Sequence, residues 1–495
     1  MRAVTMGLAL ALAACSGGGR GLGEHCATVS DCDDDLQCLD HTCVPRCRHH
    51  VDCGDGMRCN DGACHIVDSQ VGDECDSELD CGPGQTCRLA PALSNPPGTC
   101  QLQTQAGIPG DTCIVDGDCR SGACALGHCV ELCSVDDDCA RGRACAGIPR
   151  LTADATAFVG HFEACLPTTG SIAFELPLDP DVREPELKIP VPEHALSMVV
   201  VTEVDSKTQL IGATRLLSPS GRTLYQLPQT REDFYGNLIR HEPLPGASVL
   251  KVPSSPTVAL EPGAYTLRLS VFRLEPGPIS TNRHVKVIEK LGPGAILDLH
   301  FYFGDLTAHP CRDQIGGDLN ATTAPQHAGF RDQFIVELRT IFARANVELG
   351  GVTFHDVAGH PELDTVTNDN AGRLFALSTQ PTGVSVFFVR SISPAGLQIL
   401  TGGTPGAPLP GTSASGVAIS LDALCYRSWP HVARQTAHAV ARHLGLFRNK
   451  EADGGEDPIP DSAPFTDNLM HYSEFGGTSL STGQSEILRT SPVLR

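Results

Sequence analysis

Residues 430–449 read PHVARQTAHAVARHLGLFRN. Ala433, Ala437, Val440, Ala441 and Leu444 recur at helical spacing, and Pro430 suits a first turn. Gly445 is placed to end the helix as a C′ glycine. His438 and His443 are five residues apart, roughly 140° around the helix, so they do not face one point.

The residues beyond the helix keep a regular course. Glu451, Gly455, Asp457, Asp461 and Ser462 are spaced as E-x-x-x-G-x-D-x-x-x-D-S, and Asn468-Leu469-Met470 comes next. Thr482-Gly483-Gln484 and Ser491-Pro492-Val493-Leu494 close the stretch. Together with the helix, this resembles the pappalysin-like metzincins, a family of zinc metalloproteases, over residues 293–495. The resemblance implies an α+β domain in which an H-E-x-x-H-x-x-G-x-x-H segment holds zinc, its Glu acts as base, and Met470 lies in a Met-turn under the metal.

Laid on that template from His438, the glycine falls at Gly445 and Leu446-Phe447 continue the family pattern. The base position is Ala439, the second ligand position Arg442 and the third Arg448. Without the Glu, proton transfer at the attacking water loses a factor of about 10²–10⁴. A catalytic zinc needs three protein ligands, and a guanidinium has no lone pair to offer. Arg442 and Arg448 instead place positive charge where a dication belongs. No catalytic residue, metal or cofactor is therefore expected. With His438 the two arginines form a candidate anion site suited to a carboxylate, either a ligand's or an internal one such as Glu451 or Asp453. The plainer expectation is that both arginines turn to solvent or pair internally. The alternative is an active zinc metallopeptidase that recruits ligands off the motif, from His431, His443, His471 or His355.

The front of the chain has a different character. Of 23 cysteines in 495 residues, twenty lie between Cys26 and Cys165, which points to disulfides in an oxidising space. No C-x-x-C pair occurs, which counts against structural zinc. They form five sets of four: Cys26, Cys32, Cys38, Cys43; Cys47, Cys53, Cys59, Cys64; Cys75, Cys81, Cys87, Cys100; Cys113, Cys119, Cys124, Cys129; and Cys133, Cys139, Cys145, Cys165. An Asp precedes the second Cys each time: Asp31, Asp52, Asp80, Asp118, Asp138. Modules this small need two disulfides each, and the spacing leaves three pairings open. The arrays resemble Dickkopf-type or EGF-like modules of myxobacterial surface proteins. They read as a spacer or a binding surface, and adhesion or inhibition through them is a further alternative. The acidic runs at Asp33–Asp35 and Asp136–Asp138 lack EF-hand spacing and read as a solvated face rather than a calcium site.

Residues 16–166 hold 24 Asp or Glu against 9 Arg and no Lys, much of the net charge of −22. That balance argues against nucleic acid as a partner. Residues 1–15 read as a signal peptide ending in Leu12-Ala13-Ala14-Cys15, which resembles a bacterial lipobox. The resemblance implies lipidation of Cys15, with membrane attachment through the lipid at an outer membrane or cell surface. Residues 16–25 read as a flexible tether.

Residues 167–292 carry short alternating runs between Pro and Gly, among them 171–176, 197–204, 247–252 and 264–272, and predict an antiparallel β-sandwich. Glu261–Leu267, EPGAYTL, resembles the corner of pre-peptidase-type jelly rolls. From 296 the pattern alternates: strands over 296–303, 384–389 and 416–421, and a helix over 327–346. The loop 393–415 is expected to rim a cleft, and Cys311 and Cys425 are candidates for a disulfide. The expected reading is a lipid-anchored surface protein that binds an unknown protein or peptide, with a protease-like last domain lacking hydrolytic parts.

Overall fold

The computed structural model describes residues 19–91, 97–206, 208–280, 282–307 and 309–495; Cys15 and the stretch expected to be a signal peptide lie outside them. Each module is a single 3₁₀ turn followed by a β-hairpin. All five pair first Cys to third and second to fourth, from Cys26–Cys38 and Cys32–Cys43 through Cys133–Cys145 and Cys139–Cys165. The recurring Asp has a structural reason. Asp31 Oδ2 accepts the N–H groups of Ala27 and Thr28, both at 2.8 Å, and Asp118 accepts those of Ile114 and Val115 at 2.9 and 3.0 Å. Asp52, Asp80 and Asp138 do the same in their own modules. Each carboxylate satisfies orphan donors at the start of its turn. Asp136 and Asp116 likewise receive Cys145 N–H and Cys124 N–H. The acidic repeats thus hold turns.

The array folds back on itself. Asp137 accepts from His49 Nδ1 at 2.7 Å, joining the second module to the fifth. Leu89, Leu126, Leu132, Ile148 and Phe162 share one core with Phe174 and Leu187 of the next domain. The third to fifth modules are therefore packed elements rather than a stretched spacer. Full reduction is expected to melt residues 26–166, since each closed loop contributes about 3 kcal/mol. Loss of hydrogen-exchange protection there in reductant is the expected readout, with a smaller loss in the last domain, whose core is larger and which has the single bridge Cys311–Cys425.

Eight strands build the sandwich: β1 (Ser171–Leu176), β2 (Glu186–Val191), β3 (Ser197–Val204), β4 (Gln209–Leu217), β5 (Thr223–Gln226), β6 (Ala247–Val252), β7 (Gly263–Arg273) and β8 (Arg283–Lys290). One antiparallel sheet runs β1-β8-β3-β6 and the other β2-β7-β4-β5. Tyr265 in the EPGAYTL stretch is fully buried, and its hydroxyl accepts Glu261 N–H at 2.8 Å.

The last domain has a five-stranded sheet, ordered β10-β9-β11-β13-β12. It comprises β9 (Ile296–Phe303), β10 (Glu348–Asp356), β11 (Val384–Val389), β12 (Ile399–Thr401) and β13 (Val417–Ser420). All neighbours are parallel except the edge strand β12. β9 and β11 are buried almost throughout, as parallel strands covered on both faces must be. The helix expected over 327–346 starts as a π-helical stretch, Gly329–Ile335, and continues as α1 (Val336–Ala343). Gly329 is required there because a Cβ would strike the Trp429 indole. Helices α2 (Trp429–His443) and α3 (Thr482–Arg489) complete the domain, and Cys311 is joined to Cys425 with Cα atoms 5.2 Å apart. Among the described residues no helix is long and apolar enough to cross a membrane.

The loop expected to rim a cleft does something else. Ala407 and Ala414 are buried against Val199, Val201, Val249 and Ile288, so the sandwich presses the loop onto the last domain. Two buried lysines of the sandwich finish the junction. Lys251 donates to Leu444 O at 3.2 Å and Ile487 O at 2.6 Å, the C-terminal ends of α2 and α3, and Lys290 donates to Leu494 O. A cation there meets the negative ends of two helix dipoles. Burial, with Lys290 nearby, pushes the Lys251 ammonium down to about 7. An unfolded Lys titrates near ~10.4, so between those values the unfolded chain binds more protons and stability rises with pH. The stability of the wild type relative to Lys251→Met is therefore expected to grow from about pH 7 to about pH 10, measured by chemical denaturation at stepped pH.

Candidate functional site

α2 is buried on nearly every side, a consequence of its small residues: Ala433, Ala437, Ala439, Val440 and Ala441 are all inaccessible. That lets strands, the 402–407 loop and the 468–477 loop close around it. Gly445 adopts φ +110°, and a Cβ on it would meet Lys251 Cδ at 2.9 Å. Helix termination and domain docking therefore both demand glycine here.

His438 is 2% exposed, and its Nδ1 donates to Leu469 O at 2.8 Å, which leaves Nε2 as the free lone pair. Burial, reinforced by Arg434, Arg442 and Arg448, holds its pKa well below the ordinary value, so the ring is neutral. Leu469 precedes Met470, which is fully buried, and Met470 N–H is held by Asn468 Oδ1 at 2.7 Å. Asn468 in turn is bonded to Gln484 of α3 at 2.8 Å. His438, Met470 and α3 are thus one connected unit.

Arg442 stands one turn beyond His438. Its Nε donates to Thr404 Oγ1 at 3.1 Å, and burial beside Arg448 pushes it down to about 10. Arg448, past the Gly445 turn, pairs with Glu451 at 2.8 Å, while its buried Nε lacks a partner among the described residues. Of the two candidate internal carboxylates, Glu451 is engaged by Arg448, whereas Asp453 is bound by Arg231 and Tyr235 of the sandwich.

The other histidines serve elsewhere. His443 is buried against Gly406, whose N–H its carbonyl accepts at 3.0 Å, and burial lowers the ring to about 4. His431 Nε2 meets Gln398 Oε1 at 3.1 Å, and His471 Nδ1 accepts Ser473 N–H at 3.2 Å. His355 lies on β10, stacked on Tyr302 at 4.7 Å. A zinc ion does not fit this donor set: one imidazole nitrogen, two guanidinium groups and Ala439 in place of a base. No protein-family model matches this chain, and no curated protein matches its sequence. What the arrangement offers chemically is a neutral imidazole beside two cations, only one of them paired.

One heavily bonded side chain of α2 is a residue that the motif does not single out. Arg434, 5% exposed, donates to five carbonyls: Leu469, His471, Ser473, Glu474 and Gly477. The signal was present, because Arg434, His438 and Arg442 recur every fourth residue and lie along one helix face. The downstream residues are structural too. Asp461 accepts Ser481 Oγ–H and Gly483 N–H, both at 2.9 Å, at the start of α3. Gly455 sits where a Cβ would strike the Tyr235 ring, and burial raises Asp457 to about 6.

Proposed function

We propose that the chain is a lipid-anchored cell-envelope binding protein whose last domain keeps a metzincin-like framework without metal or hydrolysis. The observation that carries this is at the helix. Ala439 stands at the base position, and Arg448 and Glu451 form an ion pair at the position that the resemblance gives to the third ligand. A charge pair stands where a metal and its ligand would be. The connected His438–Met470 unit supports the framework, because the Met-turn holds the helix without an ion between them. Arg442, with one hydrogen bond, is the cation left to meet a ligand carboxylate.

The test uses the purified, disulfide-intact chain. Elemental analysis is expected to give zinc far below one atom per chain, and casein is expected to stay intact with added zinc. Stoichiometric zinc with chelator-sensitive cleavage would sink the proposal.

A further inference from the structure

A second concavity belongs to neither the helix nor the domain junction. At the carboxyl ends of β9 and β10 lies a cavity of about 380 Å³, floored by Phe303, Leu306 and Leu319. No residue of α2 lines it. The chain goes from β9 to β10 on one side and then to β11 on the other, so strand order reverses between β9 and β11, and the cavity lies beside that point, over β9 and β10. In open sheets with parallel strands, ligands bind outside the carboxyl ends of the strands, the side on which this cavity opens. The volume falls within the ~300–1,000 Å³ of small-molecule sites and far exceeds what a bare ion needs.

The wall is acidic. Asp305, Asp318, Asp356 and Asp364 all line the cavity. Three have partners: Asp305 accepts from Thr307, Asp356 accepts Ala321 N–H at 2.8 Å, and Asp318 lies 2.8 Å from Arg312. The Asp364 carboxylate has neither a hydrogen bond nor an ion pair among the described residues. Burial, then the nearby Asp305 charge, raises its pKa above the ordinary carboxyl value. Glu362, just outside, is already engaged by Arg373 at 2.7 Å. The four carboxylates face few cations: Arg312 is paired to Asp318 from outside the lining, His360 of the lining lies by Glu362, and Arg390 is near enough to Asp364 to offset part of the rise in its pKa.

We propose that this cavity binds an organic cation, an ammonium or guanidinium on an aliphatic stem, with Asp364 and Asp305 taking the charge and Phe303, Leu306 and Leu319 the stem. A carboxylate pair matches a guanidinium's forked donors, and the apolar floor favours a stem over a hydrated metal ion. A free polyamine and a lysine or arginine side chain share this chemistry.

Calorimetry on the full-length chain at low salt tests it. The probes are agmatine and cadaverine as free amines, acetyl-Gly-Lys-Gly-amide as a peptide, glutarate as an anion of similar length, and calcium chloride. One saturable site for at least one amine probe, with dissociation constant below roughly 1 mM and no glutarate binding, is the expected result. The better amine probe identifies the source. Asp364→Asn, which keeps size and removes charge, is expected to weaken binding about tenfold or more while leaving the melting temperature unchanged. Equal affinity in Asp364→Asn overturns the proposal, as does binding of calcium alone. So does silence from all three amine probes. Because no α2 residue contributes, these results are independent of the zinc and cleavage tests.

Discussion

Arg434→Ala is expected to cost about 3 kcal/mol or more, as much as truncating a buried aromatic of the same domain. The guanidinium gathers five carbonyls of one loop, from Leu469 to Gly477, into a single centre. Truncation strands the buried Leu469 and His471 carbonyls and frees three half-buried ones, and unpaired buried carbonyls are expensive. The loop is packed closely against the guanidinium and on itself. A Cβ at Gly476 would already collide with Arg434, and one at Gly477 would strike the Asp467 backbone. Arg434→Lys is expected to recover only a minor part, because three donors on one nitrogen cannot reach a spread of acceptors. Chemical denaturation with hydrogen exchange over 465–480 checks this. A loss below about 1 kcal/mol would show that water takes over the carbonyls.

Much of the β structure was readable in advance. The runs at 171–176, 197–204, 247–252, 296–303 and 384–389 became strands with those bounds. Each is a short apolar or alternating run fenced by Pro and Gly, so local pattern and burial agreed. The module spacing likewise contained the disulfide framework, while its pairing needed three-dimensional geometry, which spacing alone does not encode. The loop 393–415 was misjudged for a different reason. It was expected to rim a cleft, yet Ala407 and Ala414 are covered by sandwich residues more than 100 positions away in the chain. Burial imposed by another domain leaves no local signature. Lys251 and Lys290 show the same limit: a lysine in a strand reads as exposed until helix carbonyls arrive to receive it. At the candidate site, residue identities were legible and their partners were not. The choice of Glu451 over Asp453 for Arg448 depended on Arg231 and Tyr235 claiming Asp453 first.

The double substitution Arg442→His with Arg448→His is expected to create zinc affinity, with none expected in the wild type. His438 already has its Nδ1 fixed on Leu469 O, the arrangement that orients an imidazole and leaves Nε2 to bind. An imidazole at 442 stands one turn along the same face, and one at 448 comes after the left-handed Gly445 turn. Removing both guanidinium groups also removes the like charge that repels a dication, and Glu451, released from Arg448, becomes a nearby anion. At zinc concentrations about a thousandfold above the dissociation constant, binding to the native state alone adds about 4 kcal/mol. The readout is one chelatable zinc per chain and a zinc-dependent rise in melting temperature, both absent from the wild type and from either single substitution. Hydrolysis is not expected to return with the metal. Ala439 is inaccessible and His438 nearly so, and the 402–407 loop sits over Arg442 and His443 under the weight of the sandwich. Zinc uptake without cleavage would show that the framework outlasted its ligands. No uptake, in a variant that still folds, would mean that the helix and the Gly445 turn never formed a metal site.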